Sequence, residues 1–133
     1  MRDVLDTNVL VSGLHSATGA PGWILEAVLA GDLEIAFDAA IREEYEEVLR
    51  RAEFGFDPSR IDDLLAALDQ FGFVVTAAPP LPLRLPDRDD EPFLAAALAS
   101  ASVFVTGNLR HFPPGARAGV TVLRPRELVD RLR

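Results

Sequence analysis

Short apolar runs alternate with longer amphipathic segments along the whole chain. The first run ends at Asp6, and its two central residues are Val4 and Leu5. Strands of a parallel sheet are buried on both faces and therefore read as continuous apolar runs. The runs predict five strands: one that ends at Asp6, and others over residues 33–37, 73–77, 103–106 and 120–123.

The segments between these runs carry helical signals. Ile24, Ala27 and Val28 recur on one face at helical spacing. Asp38 and Asp57 stand where a side-chain oxygen can cap the first turn of a helix. These signals predict a short helical turn over 9–14 and helices over 20–30, from 38 to about 52, from 57 to about 72, from 89 to about 102, and from 125 to 132.

The alternation of strands and helices predicts the fold class. We expect an α/β three-layer sandwich, in which helices cover both faces of a central parallel five-stranded sheet. The length of 133 residues suits a single domain over residues 1–133. Residues 78–86 hold four prolines, and we interpret this stretch as a connector within that domain.

The composition narrows the chemistry. The chain has no cysteine, which excludes disulfides and thiolate metal sites and is compatible with a cytoplasmic location. The net charge is −8, the wrong sign for a protein that holds nucleic acid mainly by neutralising phosphates. Any nucleic-acid contact must therefore be local or bridged by metal. No run of about 18 apolar residues is present, so we expect no membrane span. Asp3 and Asp6 interrupt the first apolar segment, so we expect no signal peptide.

Polar residues follow two of the predicted strands. Asp6, Thr7 and Asn8 follow the first strand, and Thr106 and Asn108 end or follow the fourth. An open α/β sheet places its chemistry in the crevice beyond the carboxyl ends of its strands. A simple turn explains Asp6 about as well, because Asp and Asn side chains bond their own backbone.

Further acids recur at Glu44 and in the segment before the predicted helix at 89. Glu44 shares a helical face with Ile41 and Val48, whereas the neighbouring glutamates form a solvated charge run. Asp87 and Asp90 stand three residues apart. Helix capping alone explains one acid of this segment, most simply Asp89.

If these acids converge, they form a site for a hard divalent cation. Oxygen ligands without cysteine or paired histidines favour Mg²⁺ or Mn²⁺ over zinc. Such a site suits phosphodiester hydrolysis, in which metal activates water and stabilises the leaving oxygen. Arg42, Arg88 and Arg110 are candidate contacts to substrate phosphates. We interpret His15 and His111 as surface or structural residues.

Taken in order, four fragments resemble the PIN-domain ribonucleases and, within them, the VapC-like toxins of toxin–antitoxin systems. The first fragment is VLDTNVL at residues 4–10, and the second is EY at 44–45 together with EVL at 47–49. The third is DRDD at 87–90, which precedes FLAAA at 93–97, and the fourth is VTGN at 105–108. The resemblance covers nearly the whole chain. It implies a metal-dependent endoribonuclease that hydrolyses RNA with a metal-activated water, and it implies the toxin of a toxin–antitoxin pair.

The resemblance also assigns roles by position. Asp6, Glu44 and Asp90 match the three acids that bind Mg²⁺ or Mn²⁺ and carry catalysis in the family. Thr7, Asn8 and Thr106 match residues that order the site, and Asn108 stands where the family commonly has another aspartate. Asp87 is the candidate for the missing charge. A strand order of 3-2-1-4-5, a homodimer and a small antitoxin partner are further expectations from the family.

Other functions remain open at this point. Haloacid-dehalogenase-like phosphatases and receiver domains also place acids after a first strand, but both use a lysine, and all 13 basic residues here are arginine. A stronger alternative is a catalytically weak or silent PIN-like fold that acts as a binding or regulatory module. Asn108 and the acidic charge favour it, whereas Asp6, Glu44 and Asp90 argue for the nuclease.

Overall fold

The central feature of the computed structural model is one sheet of five parallel strands, in the order β3-β2-β1-β4-β5. Residues 2–133 are described, so Met1, the first residue of the predicted domain, lies outside them. The strands are β1 (Arg2–Leu5), β2 (Glu34–Phe37), β3 (Phe73–Val74), β4 (Val103–Val105) and β5 (Val122–Leu123). The predicted fold class and strand order are confirmed.

Helices flank this sheet and complete the α/β sandwich. They are α1 (Thr7–His15), α2 (Ala20–Leu29), α3 (Ala39–Leu49), α4 (Pro58–Phe71), α5 (Glu91–Ala99) and α6 (Pro125–Leu132). Within residues 2–133, no helix is both long enough and apolar enough to cross a membrane.

The predicted caps position α3 and α4. The Asp38 carboxylate accepts a hydrogen bond from the amide of Ile41 at 2.8 Å, and the Asp57 carboxylate accepts one from the amide of Ser59 at 2.9 Å. Each cap satisfies an amide that the first turn leaves without a helical partner. The predicted end of α3 near residue 52 is about three residues too late, because α3 ends at Leu49.

The predicted boundaries of α5 need correction at both ends. A 3-10 turn, Arg88–Asp90, precedes α5, and the helix stops at Ala99 rather than near residue 102. It stops because Ala101 adopts a left-handed conformation with φ of 54°. The amides of Ala101 and Ser102 then bond back to Leu98 and Ala97, which closes the helix in a Schellman arrangement.

The two outer strands are shorter than predicted. β3 covers two residues rather than 73–77, and β5 covers two rather than 120–123. The central strand β1 is buried, with Val4 and Leu5 at 0% exposure, and it pairs with β2 and β4. Asp6 follows β1 and Thr106 follows β4, so the parallel register brings both to one edge of the sheet.

Candidate active site

Asp6 lies at the carboxyl end of β1, where the residue is 8% exposed. The Thr106 hydroxyl donates to Asp6 Oδ2 at 2.8 Å, and the side-chain amide of Asn8 donates to the same oxygen at 3.3 Å. Asp6 is the N-cap residue of α1, and the main-chain amides of Thr7 and Asn8 in that helix act on its carboxylate and lower its pKa. The local turn and the neighbouring strand end therefore both orient the carboxylate.

The electrostatic surroundings of Asp6 disfavour a bare negative charge. Burial raises the pKa of Asp6, the hydrogen bond from Thr106 lowers it, and the charge of Asp90 raises it again. The effect of Asp90 shows that the first and third predicted acids are close enough to repel one another. A divalent cation between them would remove that repulsion.

Glu44 is half-buried on α3 and faces the start of α1. The Thr7 hydroxyl donates to Glu44 Oε2, which links the second predicted acid to the residue that follows Asp6. The adjacent Tyr45 is fully buried, and its hydroxyl donates to the main-chain carbonyl of Leu5. The two bonds fasten α3 to the start of α1 and to the end of β1, so contacts on either side of Asp6 position Glu44.

Asp90 contacts a histidine to which the sequence gave no role in the site. His111 Nδ1 lies 2.8 Å from Asp90 Oδ2. The His111 side chain is 43% exposed, so the interpretation as a surface or structural residue stands, and the contact also puts His111 beside the third predicted acid. After Asn108, the 3-10 turn Leu109–His111 returns the chain to the site. Such a short turn has no apolar periodicity, so the sequence pattern does not reveal this position of His111.

Burial raises the pKa of Asp90, and the nearby His111 lowers it, while the charges of Asp87 and Glu44 raise it. Within residues 2–133, one group of three residues could hold a metal ion, since each offers a ligand atom within 4.8 Å of the other two. The group consists of Asp87, Asp90 and His111. Asp6 and Glu44 lie outside this compact group. The structure thus brings the three predicted acids into electrostatic range, with Asp90 nearest to the additional donors.

Asp87 rather than Asp89 is the capping residue of this segment. The Asp87 carboxylate accepts a hydrogen bond from the amide of Asp89 at 2.9 Å and caps the 3-10 turn. The assignment of the capping role to Asp89 is therefore wrong. One oxygen of Asp87 serves the turn, and Asp87 also belongs to the group with Asp90 and His111.

The loop after β4 is tied to the loop after β1. The Gly107 amide donates to Asn8 Oδ1 at 3.1 Å, and the Asn108 amide donates to the Thr106 hydroxyl at 3.0 Å. Thr106 is completely buried and therefore connects Asp6 to the main chain of the neighbouring loop. Throughout residues 2–133, the Asn108 side chain has no hydrogen-bond partner, so its oxygen is available to a ligand.

The three candidate phosphate-binding arginines lie in different surroundings. Arg42 donates to Asp69 through two nitrogens, at 3.0 and 2.9 Å, and to Glu46 at 3.1 Å. Arg88 lines a cavity of about 210 Å³ together with Glu44. Neither Arg88 nor Arg110 forms an ion pair within the described part of the chain. Arg88 and Arg110 are thus the ones whose guanidinium groups are free for an anion.

The donors present suit a hard divalent cation. Carboxylate and amide oxygens predominate, and a single imidazole stands beside one carboxylate. This chemistry favours Mg²⁺ or Mn²⁺. Asp87, Asp90 and His111 each bring a ligand atom within 4.8 Å of the others, which is the structural observation that a cation fits at this site.

Comparison with known proteins assigns the family. The PIN domain family model matches residues 2–110, which include every predicted acid. The chain belongs to the PIN domain family. Comparison with curated protein sequences gives no significant match.

The fold of this PIN domain is also similar to that of a solved structure. A chain in the crystal structure of VapBC2 from Rickettsia felis, bound to a DNA fragment from its promoter, is similar with a TM-score of 0.56. The sequence identity is 14%, and the match covers 93% of this PIN domain and 98% of the other chain. The likeness therefore lies in the fold and extends over both chains almost completely.

Proposed function

We propose that this PIN domain is a metal-dependent endoribonuclease and the toxin of a toxin–antitoxin pair. PIN domains form a nuclease family, and the predicted acids lie at the carboxyl edge of its sheet. One observation carries the proposal. The buried Asp6 accepts a hydrogen bond from Thr106, at the end of the neighbouring strand, and the charge of Asp90 acts on its carboxylate.

The ligands in this proposal are Asp6, Glu44 and Asp90, with Asp87 and Asn108 at the edge of the site. When bound, Mg²⁺ or Mn²⁺ would increase the acidity of water at neutral pH and offset the charge of a phosphodiester. The protein's own contribution is to fix the carboxylates. Thr106 and Asn8 orient Asp6, and the Thr7 hydroxyl orients Glu44.

His111 is the positioning residue of Asp90 in this proposal. A ring nitrogen at 2.8 Å restricts the rotation of the carboxylate and leaves its second oxygen for the cation. Arg88 and Arg110 supply the positive charge for the phosphates on either side of the scissile bond. Their positive charge offsets, at the site itself, the repulsion that the overall charge of −8 exerts on nucleic acid.

The toxin assignment is supported by the fold likeness to VapBC2 from Rickettsia felis. We propose that a small antitoxin binds this PIN domain and controls access to the acidic site. Homodimerisation and a cytoplasmic location stay predictions from the sequence.

The decisive experiment measures cleavage of single-stranded and structured RNA by the purified protein with Mn²⁺ or Mg²⁺. We expect cleavage that EDTA stops and that Asp6→Asn abolishes. Asp32→Asn is the matched control, because Asp32 is exposed and precedes β2, at the opposite edge of the sheet. Equal cleavage by the parent protein and Asp6→Asn would reject the proposed active site.

Asn108 is the observation that favours the second candidate, a silent binding or regulatory module. An amide brings no charge to the place where relatives commonly hold another aspartate. This candidate predicts no cleavage with any metal, while binding of the antitoxin survives Asp6→Asn. Metal-dependent cleavage by the parent protein excludes it.

A further inference from the structure

A groove of about 730 Å³ lies beside the candidate active site. One wall is the proline-rich strap, defined here as residues 78–86, and the opposite wall is formed by the starts of α3 and α5. The volume falls within the range of about 300–1,000 Å³ that is typical of sites for small ligands. The groove therefore has room for a nucleotide.

The groove adjoins the active site. The smaller cavity that Glu44 lines shares three residues with the groove, namely Ala40, Arg88 and Pro92. An RNA chain in the groove would therefore lie next to the residues that line the cavity of Glu44. This adjacency favours an occupant that belongs to the same substrate.

Two acids and two arginines line the groove, so its formal charges balance, and the two arginines are the groups that remain open to an anion. Its two acids are engaged by the main chain, because Asp38 accepts from the Ile41 amide and Glu91 accepts from the Leu85 amide at 3.0 Å. Its two arginines, Arg84 and Arg88, form no ion pair within residues 2–133. Ala40 lies in the first turn of α3, where the helix dipole adds positive potential.

The strap supplies apolar surface next to these guanidinium groups. Pro79, Pro80 and Leu81 line the groove, and Leu81 packs partly against the core. Apolar surface beside a cation suits an unpaired base attached to its phosphate, because the base can bury its apolar face against the strap and the phosphate can bind a guanidinium. Paired bases would present only their edges and backbone.

We infer that this groove binds the nucleotides that flank the scissile phosphate of a single-stranded RNA, with Arg84 holding a phosphate. The inference rests on the proposed ribonuclease function. It adds a substrate-binding groove and a residue that binds the substrate, Arg84, which lies outside the acidic site.

The test measures RNA binding and RNA cleavage separately. In the binding arm, the affinity of a labelled single-stranded RNA is followed against salt for the parent, Arg84→Gln and Arg131→Gln. Arg131 is the matched control, since it is exposed on α6 and also forms no ion pair in the described chain. We expect Arg84→Gln to weaken binding and to reduce the salt slope by about 0.7, the contribution of one phosphate contact on a single strand.

In the cleavage arm, RNAs with the same scissile site are shortened from either end. The parent should cleave the extended RNA several-fold better than the shortest one, and Arg84→Gln should lose that preference while it cleaves the shortest RNA as the parent does. Single-stranded DNA of the same sequence tests whether the groove requires ribose. Weaker binding of DNA supports an RNA site.

The two arms separate the possible failures. A parent that binds RNA with the expected salt slope but never cleaves it rejects the ribonuclease and keeps the groove. An Arg84→Gln variant that binds and cleaves RNA like Arg131→Gln overturns the inference. Loss of antitoxin binding alone in Arg84→Gln assigns the groove to a protein partner and also overturns it.

Discussion

Tyr45 on α3 donates a hydrogen bond to the main-chain carbonyl of Leu5, the residue that precedes Asp6. Glu44 is the neighbour of Tyr45, so a single buried contact sets the separation between the helix of the second acid and the strand of the first. The contact is part of the core, since Tyr45 and Leu5 are both 0% exposed. Stability and geometry of the site are therefore coupled at this point.

Replacing Tyr45 with phenylalanine tests this coupling. The ring stays in place, but the Leu5 carbonyl loses its side-chain donor inside the core. We expect a loss of about 1–3 kcal/mol in the free energy of unfolding, the usual cost of a buried group left without its partner. Urea denaturation measures the loss, and Mn²⁺ titration should show weaker binding in the folded variant. Unchanged stability would mean that the hydroxyl contributes nothing to the core.

His111 offers a test of carboxylate orientation. We expect His111→Ala to weaken Mn²⁺ binding by about 10–100-fold, because residues that orient metal ligands commonly have effects of this size. His111→Gln should recover part of the affinity by donating from its amide to Asp90. Isothermal titration with Mn²⁺ measures the binding without relying on activity. His15→Ala is the control, because His15 is exposed at the end of α1. Equal affinities in all four proteins would remove His111 from the site.

Thr106 combines two hydrogen bonds in one buried hydroxyl. It donates to Asp6 and accepts from the Asn108 amide, so Thr106→Val breaks both while it keeps the shape. We expect RNA cleavage to fall by about tenfold or more, since the orientation of Asp6 is lost. Thr106→Ser keeps the hydroxyl and should retain most activity. A valine variant as active as the serine variant contradicts this role.

Asp3 predicts a pH dependence of stability that is separate from the active site. It is 0% exposed, and neither carboxylate oxygen has a hydrogen-bond partner among residues 2–133. Burial raises the pKa of Asp3 from 3.8 to about 6. Below pH 3.8 the group is neutral in both the folded and the unfolded protein, so it costs no charge burial. Between pH 3.8 and about 6 the unfolded protein ionises Asp3 while the folded protein keeps it neutral, so stability falls as the pH rises and the loss is complete once the pH has passed 6.

We therefore expect Asp3→Asn to be more stable than the parent at pH 7.5, by up to roughly 3 kcal/mol. The advantage should shrink as the pH falls from 6 towards 4. Urea denaturation of both proteins across this range measures the difference. The difference between the two proteins removes the contributions of other acids, whose titration is common to both. A constant difference from pH 4 to pH 7.5 would show that Asp3 does not titrate as its burial implies.

Local signals in the sequence explain most of the fold. Asp38 and Asp57 cap their helices with side-chain bonds to amides two or three residues away, so short-range chemistry is enough to place α3 and α4. The end of α5 is different, because it depends on an alanine, Ala101, in a conformation usually left to glycine. Helix propensity does not reveal that an alanine will adopt this conformation, so the predicted helix extends too far.

The candidate site likewise contains residues that local sequence signals reveal and residues that only tertiary contacts bring in. Asp6 could be found because it follows an apolar strand, and Glu44 because it shares a face with core residues. His111 was missed because its contact with Asp90 spans 21 positions and depends on a loop path. The pairing of Arg42 with Asp69 on α4 is likewise a tertiary contact, which no local pattern reveals.

The two-residue length of β3 and of β5 also affects how this protein behaves among its own copies. These strands are the two edges of the sheet, and each offers a neighbouring chain very little unpaired main chain. Beyond β3, Pro79 and Pro80 have no amide hydrogen to donate. The short strands thus protect the protein against edge-to-edge aggregation, even though Val74 on β3 leaves 57% of its surface in water.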